Sequence, residues 1–282
     1  MDDGSLDQSI PIAEAFLAKT DLEWRVVHQE NGGQGAARDH GIRVARGKYV
    51  ICIDPDDTVS PVFLSSLYQC AESGGFDLVF AGCKAVTAEQ PFSTASVSFQ
   101  PIGRKELLQQ FLCRTMTPIL PALLIRRELI LTYSICTKAD CRFSEDVYFM
   151  WLLFSRARTI AYTDAPLYHY LSRPNSTMNA TSADRIMTGY AAFCALPQDP
   201  NFSGDFSGAS YLLARWVLGA LRSAACISSY PVFYALARSM EYQVHAKTLY
   251  RFPERKARIL ARFLRISPRV FYNTVRILRG KK

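Results

Sequence analysis

A short apolar run that ends in a cluster of acids constrains this chain most. Residues 49–53 read Y-V-I-C-I, a run of β-branched and aromatic side chains typical of a buried parallel strand. Asp54, Pro55, Asp56 and Asp57 follow it directly. Such runs alternate with helical patterns through the first third of the chain, which predicts an α/β fold with a mostly parallel sheet and crossover helices. Ligands of these sheets bind at the carboxyl ends of strands, where these acids stand.

The remaining elements follow from the same patterns of hydrophobic spacing. Further strands are predicted at 24–28, 77–81, 119–125 and, in short pieces around Pro166, within 159–171. Helices are predicted at 34–45, 61–71, 145–155 and from about 183 onward, with Ser60 and Ser144 as N-caps of the second and third. We therefore place a boundary near residue 180, between an α/β domain at 1–180 and a C-terminal helical region at 181–282.

The acids after residue 53 suggest a metal site. Asp54 and Asp56 are two residues apart where a strand stops, so both can face one cavity. Carboxylate oxygens suit Mg²⁺ or Mn²⁺, with water and a diphosphate completing the shell. The alternative is a polar turn in which Asp57 caps the next helix.

Three motifs in order carry a resemblance to a known family. D-D-G-S stands at 2–5, E-N-G-G-Q-G-A-A-R-D-H-G at 30–41, and G-K-Y followed by an apolar run and D-P-D-D at 47–57. This order and spacing resemble the bacterial family 2 glycosyltransferases, and the likeness extends more weakly through Glu145-Asp146 and residues 166–176. It covers roughly residues 1–180. It implies a GT-A fold, followed here by the C-terminal helices.

The resemblance implies a role for each matching residue on the donor side. Asp3 would hydrogen-bond the base of a nucleotide-sugar donor, in this family usually uracil. Arg38 would lie near the nucleotide and counter its charge. Asp54 would face the ribose. Asp39 stands where the family has asparagine, which changes the charge at that position.

The same resemblance implies how the reaction would proceed. Asp56 would ligate the metal, with Asp57 as an alternate ligand, and the ion would neutralise charge on the leaving nucleotide. Asp146 would act as general base toward the acceptor hydroxyl, with Glu145 as its neighbour and orienter. The alternative for these two acids is charge matching to the helix dipole.

Residues 166–176 contribute a weaker set of expectations. Arg173 and Ser176 fall where related enzymes close a loop on the diphosphate, so we expect them to bind the nucleotide-sugar. His169 is a further candidate metal or phosphate ligand. The alternative for a single histidine between two tyrosines is a packed core residue.

The beginning of the family pattern is missing from this sequence. Its first strand and helix have no counterpart before D-D-G-S, and Met1 stands at the hydrophobic position that precedes the motif. We expect a truncated or late-starting sequence. Loss of a central strand predicts unpaired strand edges and an incomplete nucleotide pocket.

Charge and composition point to a cytoplasmic enzyme at a membrane surface. The eight cysteines form no C-x-x-C pair, and we expect reduced thiols. We find neither a signal peptide nor a membrane span in the sequence. Of the net charge of +8, residues 251–282 hold eleven lysines and arginines against one acid, Glu254. Interleaved apolar residues make this tail a basic amphipathic pair of helices, which predicts peripheral binding to anionic lipid; the alternative is packing on the body with a solvated basic face.

Two other classes of protein remain alternatives to a glycosyltransferase acting on a glycan or lipid-linked acceptor. One is a degenerate, non-catalytic glycosyltransferase-like binding protein. The other is another nucleotide-sugar enzyme, such as a nucleotidyltransferase, although that class would lack the 30–41 motif and the Glu145-Asp146 pair. Nucleic acid is not an expected partner, because the basic residues are confined to the tail and acids follow the strand.

Overall fold

The computed structural model describes residues 1–92, 96–172 and 182–280. Six strands form one sheet in the order β1-β5-β3-β6-β2, and β4 pairs with β6 beside this path. The strands are β1 (Tyr49–Val50), β2 (Thr58–Val59), β3 (Leu78–Val86), β4 (Gln100–Pro101), β5 (Leu123–Arg126) and β6 (Ile160–Leu171). The expected α/β architecture with a C-terminal helical region is confirmed.

The sheet is mixed, which corrects the expectation of mostly parallel strands. Only β3 and β6 pair in parallel among the described strands; β1 with β5, β3 with β5, β2 with β6 and β4 with β6 are antiparallel. A parallel pair requires a long crossover, which the chain between β3 and β6 supplies. Burial on both faces gives continuous apolar runs, and such a run does not report the direction of its neighbour.

Two expected strands are reduced in the structure. Residues 24–28 form no strand, and their one ladder contact is a bridge between Asp2 and His28. Of the run at 49–53, only Tyr49 and Val50 pair, and Ile53 is 41% exposed. A strand persists only where a neighbouring strand satisfies its backbone groups. Among the described residues, β5 pairs with this run only at Tyr49 and Val50.

The described residues contain twelve α-helices. They are α1 (Ser9–Leu17), α2 (Gln34–Val44), α3 (Phe63–Gly74), α4 (Arg104–Cys113), α5 (Arg127–Tyr133), α6 (Glu145–Arg156), α7 (Ala183–Ala195), α8 (Leu212–Ile227), α9 (Tyr230–Ser239), α10 (Tyr242–Thr248), α11 (Arg255–Ile266) and α12 (Pro268–Gly280). The expected α2, α6 and C-terminal helices are confirmed. Helix α3 begins at Phe63 rather than Pro61, because the Phe63 amide first donates to the Ser60 carbonyl in a turn.

Strand β6 is one continuous strand, where short pieces around Pro166 were expected. Its register against β3 shifts beside Gly82, which lies opposite Pro166. Proline has no amide hydrogen to donate to a ladder, so the pairing must step past it. Gly82 permits the step, since a Cβ there would stand 2.4 Å from the Asp164 carbonyl oxygen.

Helix α6 is the centre of the core. Every residue from Tyr148 to Ser155 is buried. This helix shares one hydrophobic cluster with the sheet and with the C-terminal helices, where Phe193 of α7 stacks on Trp216 of α8 with ring centroids 4.8 Å apart. The C-terminal helices are thus packed onto the sheet's own core, and the boundary near residue 180 stays a prediction.

The last two helices separate at Ser267-Pro268, as the sequence predicts. Their buried faces carry Ala257, Ala261, Leu264, Phe271 and Val275. Across residues 1–92, 96–172 and 182–280, no helix combines the length and apolar character that crossing a bilayer demands.

Candidate functional site

The acidic turn after β1 is tied to the end of β6 by Asp57. Its Oδ2 accepts a hydrogen bond from the hydroxyl of Tyr168 at 2.7 Å, and its Oδ1 accepts one from the Leu171 amide at 2.8 Å. Tyr168 is fully buried, and its hydroxyl also accepts the Asp54 amide at 3.4 Å. Burial and the Asp57 carboxylate together raise the pKa of Tyr168 well above its usual range, so the phenol stays a donor. Asp57 therefore holds the turn in place.

Charged side chains from several segments of the chain act on the carboxylate of Asp54. Burial, followed by the nearby carboxylates of Asp57, Asp56 and Asp146, raises the pKa of Asp54 to about 6, against the opposing charge of Arg38. The sequence predicted each of these residues at the site, although Asp146 is far from the others along the chain. The fold brings the turn, α2 and the start of α6 together around one carboxylate.

Glu145 and Asp146 open α6 as predicted. Burial, and then the neighbouring Asp146, raise the pKa of Glu145. Ser144 occupies the N-cap position with φ of 63°, and its side chain makes no capping bond. A capping serine normally has an extended backbone, and the left-handed conformation removes that geometry. The Asp146 carboxylate itself accepts the Val147 amide at 2.8 Å.

Helix α2 is joined to the segment that precedes α6 by Asp39. Its carboxylate accepts the Thr137 amide at 3.0 and 3.1 Å and the Thr137 hydroxyl at 2.6 Å, and Thr137 is 6% exposed. The two segments touch so closely at Gly35 that a Cβ there would stand 2.9 Å from the Thr137 hydroxyl oxygen and 3.5 Å from Glu145 Cγ. Sequence reasoning missed Thr137; its only signal was the acid at position 39.

Asp3 anchors the loop that leads into α2. Its Oδ1 accepts Gln29 Nε2 at 2.7 Å and the Gly32 amide at 2.8 Å, while its Oδ2 accepts the Gly33 amide at 2.8 Å. Burial opposes ionisation, but these donors, led by the Gly32 amide, lower the pKa of Asp3 overall. Gly33 has φ of 87°, a left-handed conformation that favours glycine. The structure thus gives Asp3 three protein partners.

Its neighbour Asp2 is also held in place. The Ser5 amide donates to Asp2 Oδ1 at 2.9 Å, and His28 Nδ1 lies 2.8 Å from Asp2 Oδ2. The Ser5 amide and the His28 side chain lower the pKa of Asp2 to about 2. Asp2 and Asp3 together connect the N-terminal motif to both ends of the segment 28–33.

His169 lies apart from the acidic cluster. Adjacent residues of a strand face opposite sides, and Tyr168 takes the side of Asp57. The imidazole of His169 stacks on Phe92 with ring centroids 3.9 Å apart and is 2% exposed. Burial and the charge of Lys84 lower its pKa. The structure therefore places this candidate ligand in a packed position, as the alternative interpretation held. Arg173 and Ser176 lie outside the described residues.

The donor set at the turn fits a divalent cation shared with a substrate. Among the described residues, no group of three histidine, cysteine, aspartate or glutamate side chains forms a protein-only cage. Asp57 has both oxygens engaged, while Asp54 stands in an excess of negative charge. Mg²⁺ is commonly held by one or two carboxylates and completed by phosphate oxygens and water. The carboxylates of this turn are ligands of that type.

Comparison with known proteins gives related sequences over the first part of the chain. Residues 1–133 match the model of glycosyl transferase family 2. Two Bacillus subtilis proteins are similar: the uncharacterized glycosyltransferase EpsJ, 34% identical over 62% of this chain and 52% of that protein, and the putative glycosyltransferase EpsH, 29% identical over 68% and 57%. This chain spans about half the length of these curated relatives.

A solved structure extends the likeness to the whole fold. The crystal structure of Staphylococcus aureus TarS 1–349, in complex with UDP-GlcNAc, matches with a TM-score of 0.62. The match covers 99% of this chain and 81% of that one at 18% sequence identity. Similarity at that level of identity concerns the fold alone.

Proposed function

We propose, from the match of residues 1–133 to the model of glycosyl transferase family 2, that this chain transfers a sugar from a nucleoside diphosphate donor to a glycan or lipid-linked acceptor of a cell-surface polysaccharide. The observation that carries the proposal is the group of charged side chains around Asp54. Arg38, Asp56 and Asp146 all act on its carboxylate, so a donor-side turn and a candidate base share one site. UDP is the proposed nucleotide, in line with the UDP-GlcNAc bound by TarS.

The donor would be held by residues of α2, the N-terminal motif and the acidic turn after β1. Arg38 Nη1 is buried and makes no hydrogen bond within the described part of the chain. A guanidinium donates well to phosphate oxygens, so this group suits the diphosphate. Asp3 Oδ2 accepts one protein donor, which leaves a lone pair for an N–H of the base. Asp54 would face the ribose.

Transfer itself requires a base and a stabilised leaving group. Asp146 would take the proton from the acceptor hydroxyl while that oxygen attacks the anomeric carbon and the bond to the diphosphate breaks, which inverts the configuration. Glu145 would orient its neighbour. A divalent cation, Mg²⁺ or Mn²⁺, when held by Asp56, would neutralise charge on the departing diphosphate.

Asp146→Asn tests this assignment directly. With UDP-sugars and a panel of glycan and lipid-linked acceptors, the variant should lose roughly 10²–10⁴-fold in kcat while it still binds UDP. Asp140→Asn is the matched control, because Asp140 is an exposed acid of the preceding segment. Full activity in Asp146→Asn, or no turnover by the wild-type chain with any donor, would contradict the proposal.

We propose further that α11 and α12 attach the enzyme to anionic lipid at the inner face of the cell membrane. Ile259, Phe263 and Ile266 follow one another at helical spacing on α11, and Val270 lies near the start of α12. The four side chains are 40%, 36%, 80% and 47% exposed in that order. We call these four residues the apolar stripe. Exposed arginines and lysines border it, at positions 255, 256, 262, 265 and 269. Apolar side chains between cations suit a surface of acyl chains beneath anionic headgroups.

Vesicle flotation tests this docking. Phe263→Ser with Ile266→Ser should abolish flotation with phosphatidylglycerol vesicles, whereas Val244→Ser, an exposed apolar site on α10, should leave it unchanged. Equal flotation of all three proteins would rule out the apolar stripe as the membrane contact.

A further inference from the structure

One face of α8 gathers arginines from two parts of the chain. Arg215, Gly219 and Arg222 follow one another at i, i+4 and i+7, the spacing of a single helix face. Arg114, the residue after α4, lies across the middle of this face, since its Nη2 is 2.9 Å from the place where a Cβ of Gly219 would stand. Arg114, Arg215 and Arg222 are called the arginine cluster below.

The cluster holds more positive charge than its surroundings balance. Glu254 is the one carboxylate paired with it in the part of the chain that the structure describes. Glu254 Oε2 accepts hydrogen bonds from Nε and Nη2 of Arg215, each at 2.9 Å. Arg215 is 4% exposed, and its Nη1 is buried with no hydrogen-bond partner in the described chain. Within residues 1–92, 96–172 and 182–280, the guanidinium groups of Arg114 and Arg222 form no ion pair. Three guanidinium groups thus share one carboxylate among the described residues.

Burial and neighbouring positive charge both disfavour the charged forms of Arg114 and Arg215. Burial of its guanidinium, and then the charges of Arg215 and Arg222, lower the pKa of Arg114 to about 10. Burial also lowers the pKa of Arg215, despite its bond to Glu254. Although its guanidinium packs against α8, Arg114 as a residue is exposed, and so is Arg222. The edge of the cluster at Arg114 and Arg222 is therefore open to solvent.

We propose that the arginine cluster is a binding site for a phosphate group, separate from the sugar-transfer site. A phosphate monoester carries close to two negative charges at neutral pH and offers three acceptor oxygens, which matches the two uncompensated cations. Guanidinium groups present paired N–H donors to such oxygens and lose little hydration when they do so. The ligand is free phosphate or the phosphomonoester headgroup of a lipid, and the two differ in whether the site binds at a membrane surface.

Thermal unfolding of the full chain tests for the site without any need for activity. Inorganic phosphate, compared with chloride at equal ionic strength and pH, should raise the Tm of the wild-type chain by a few degrees once it is in large excess over its Kd. Arg114→Gln and Arg222→Gln should each lose most of this shift. Arg238→Gln, an exposed arginine of α9, is the matched control and should keep it.

The chloride arm separates binding from a structural role. Because Arg114→Gln removes a like charge from beside Arg215, its Tm in chloride should equal or exceed that of the wild type. A phosphate shift no larger than the chloride baseline, or one that both variants retain, would overturn the proposal. A fall in the Tm of Arg114→Gln in chloride would also overturn it, since the guanidinium would then be a packing element.

Vesicles identify the source of the phosphate. Phosphatidic acid exposes a phosphomonoester, whereas phosphatidylglycerol exposes a phosphodiester. If the wild-type chain floats more strongly with phosphatidic acid than with phosphatidylglycerol, and Arg222→Gln abolishes this difference, the site binds a lipid headgroup. Equal flotation with both lipids, together with the phosphate shift in Tm, assigns it to a small soluble phosphate.

Discussion

Replacing Asp39 with alanine should loosen the segment that delivers Glu145 and Asp146 to the site. The substitution removes the acceptor for both the amide and the hydroxyl of Thr137, a residue that is 6% exposed. A buried donor left without a partner costs about 1–3 kcal/mol. Two such donors, partly reached by water after relaxation, give an expected loss of about 2–5 kcal/mol in the free energy of unfolding.

Asp39→Asn provides the matched control, because asparagine has nearly the same shape as aspartate. In Asp39→Asn the side-chain oxygen still accepts the Thr137 amide, and the NH₂ group donates to the Thr137 hydroxyl. The expected loss is then about 1 kcal/mol or less. Thermal unfolding should show a Tm lower by roughly 4–10 °C for alanine, at about 2 °C per kcal/mol for a chain of this size, and nearly unchanged for asparagine.

A double-mutant cycle with Thr137→Val assigns the loss to the contact itself. If Asp39 acts through Thr137, the two substitutions together should cost less than the sum of their separate effects. When UDP binding and sugar transfer are both measured, Asp39→Ala should lose more in kcat than in affinity for UDP, because the contact between Asp39 and Thr137 positions α6. An Asp39→Ala chain as stable as wild type, or additive effects, would refute this reasoning.

Three further predictions concern other contacts of the site and sheet. Tyr168→Phe should lower the free energy of unfolding by about 1–3 kcal/mol in chemical denaturation, because Asp57 loses its hydroxyl donor. An unchanged free energy of unfolding would show that this hydrogen bond does not stabilise the turn. Glu145→Gln should raise Tm at neutral pH, since the raised pKa of Glu145 means that stability falls as pH rises through its ordinary range; the gap should close below pH about 4, and a gap that persists there would refute the charge explanation. Gly82→Ala should cost about 1–3 kcal/mol, as its Cβ would meet the Asp164 carbonyl, and a tolerated alanine would show that the bulge can shift.

The local elements of this fold follow from sequence where the pattern is long and periodic. Helices α2 and α6 begin at their expected residues, because motif glycines precede α2 and a pair of acids opens α6. Strand β3 contains the run predicted at 77–81 apart from its first residue, and it continues to Val86. Pairing was less accessible to sequence reasoning: the run at 49–53 is apolar enough for a central strand, yet only its first two residues find partners.

At the candidate site, too, residues within a motif could be predicted, whereas their partners from distant parts of the chain could not. Arg38 and Asp146 act on Asp54 together with the acids of its own turn, because the fold brings α2 and the start of α6 to that turn. The partners of Asp57 and Asp39 were not predicted, because Tyr168 and Thr137 are 111 and 98 residues away along the chain. His169 lies next to Tyr168 in sequence, but strand alternation sends its ring to the packed side.

Nucleotide binding that depends on the acidic turn tests the proposed function most directly. The measurement is the shift in Tm on adding UDP, with GDP for contrast, in Mn²⁺ and then in EDTA, for the wild-type chain, Asp56→Asn and the control Asp140→Asn. We predict a shift with UDP that requires Mn²⁺, persists in the control and disappears in Asp56→Asn. No shift with either nucleotide, or one that survives both EDTA and Asp56→Asn, would contradict a metal-assisted donor site at this turn.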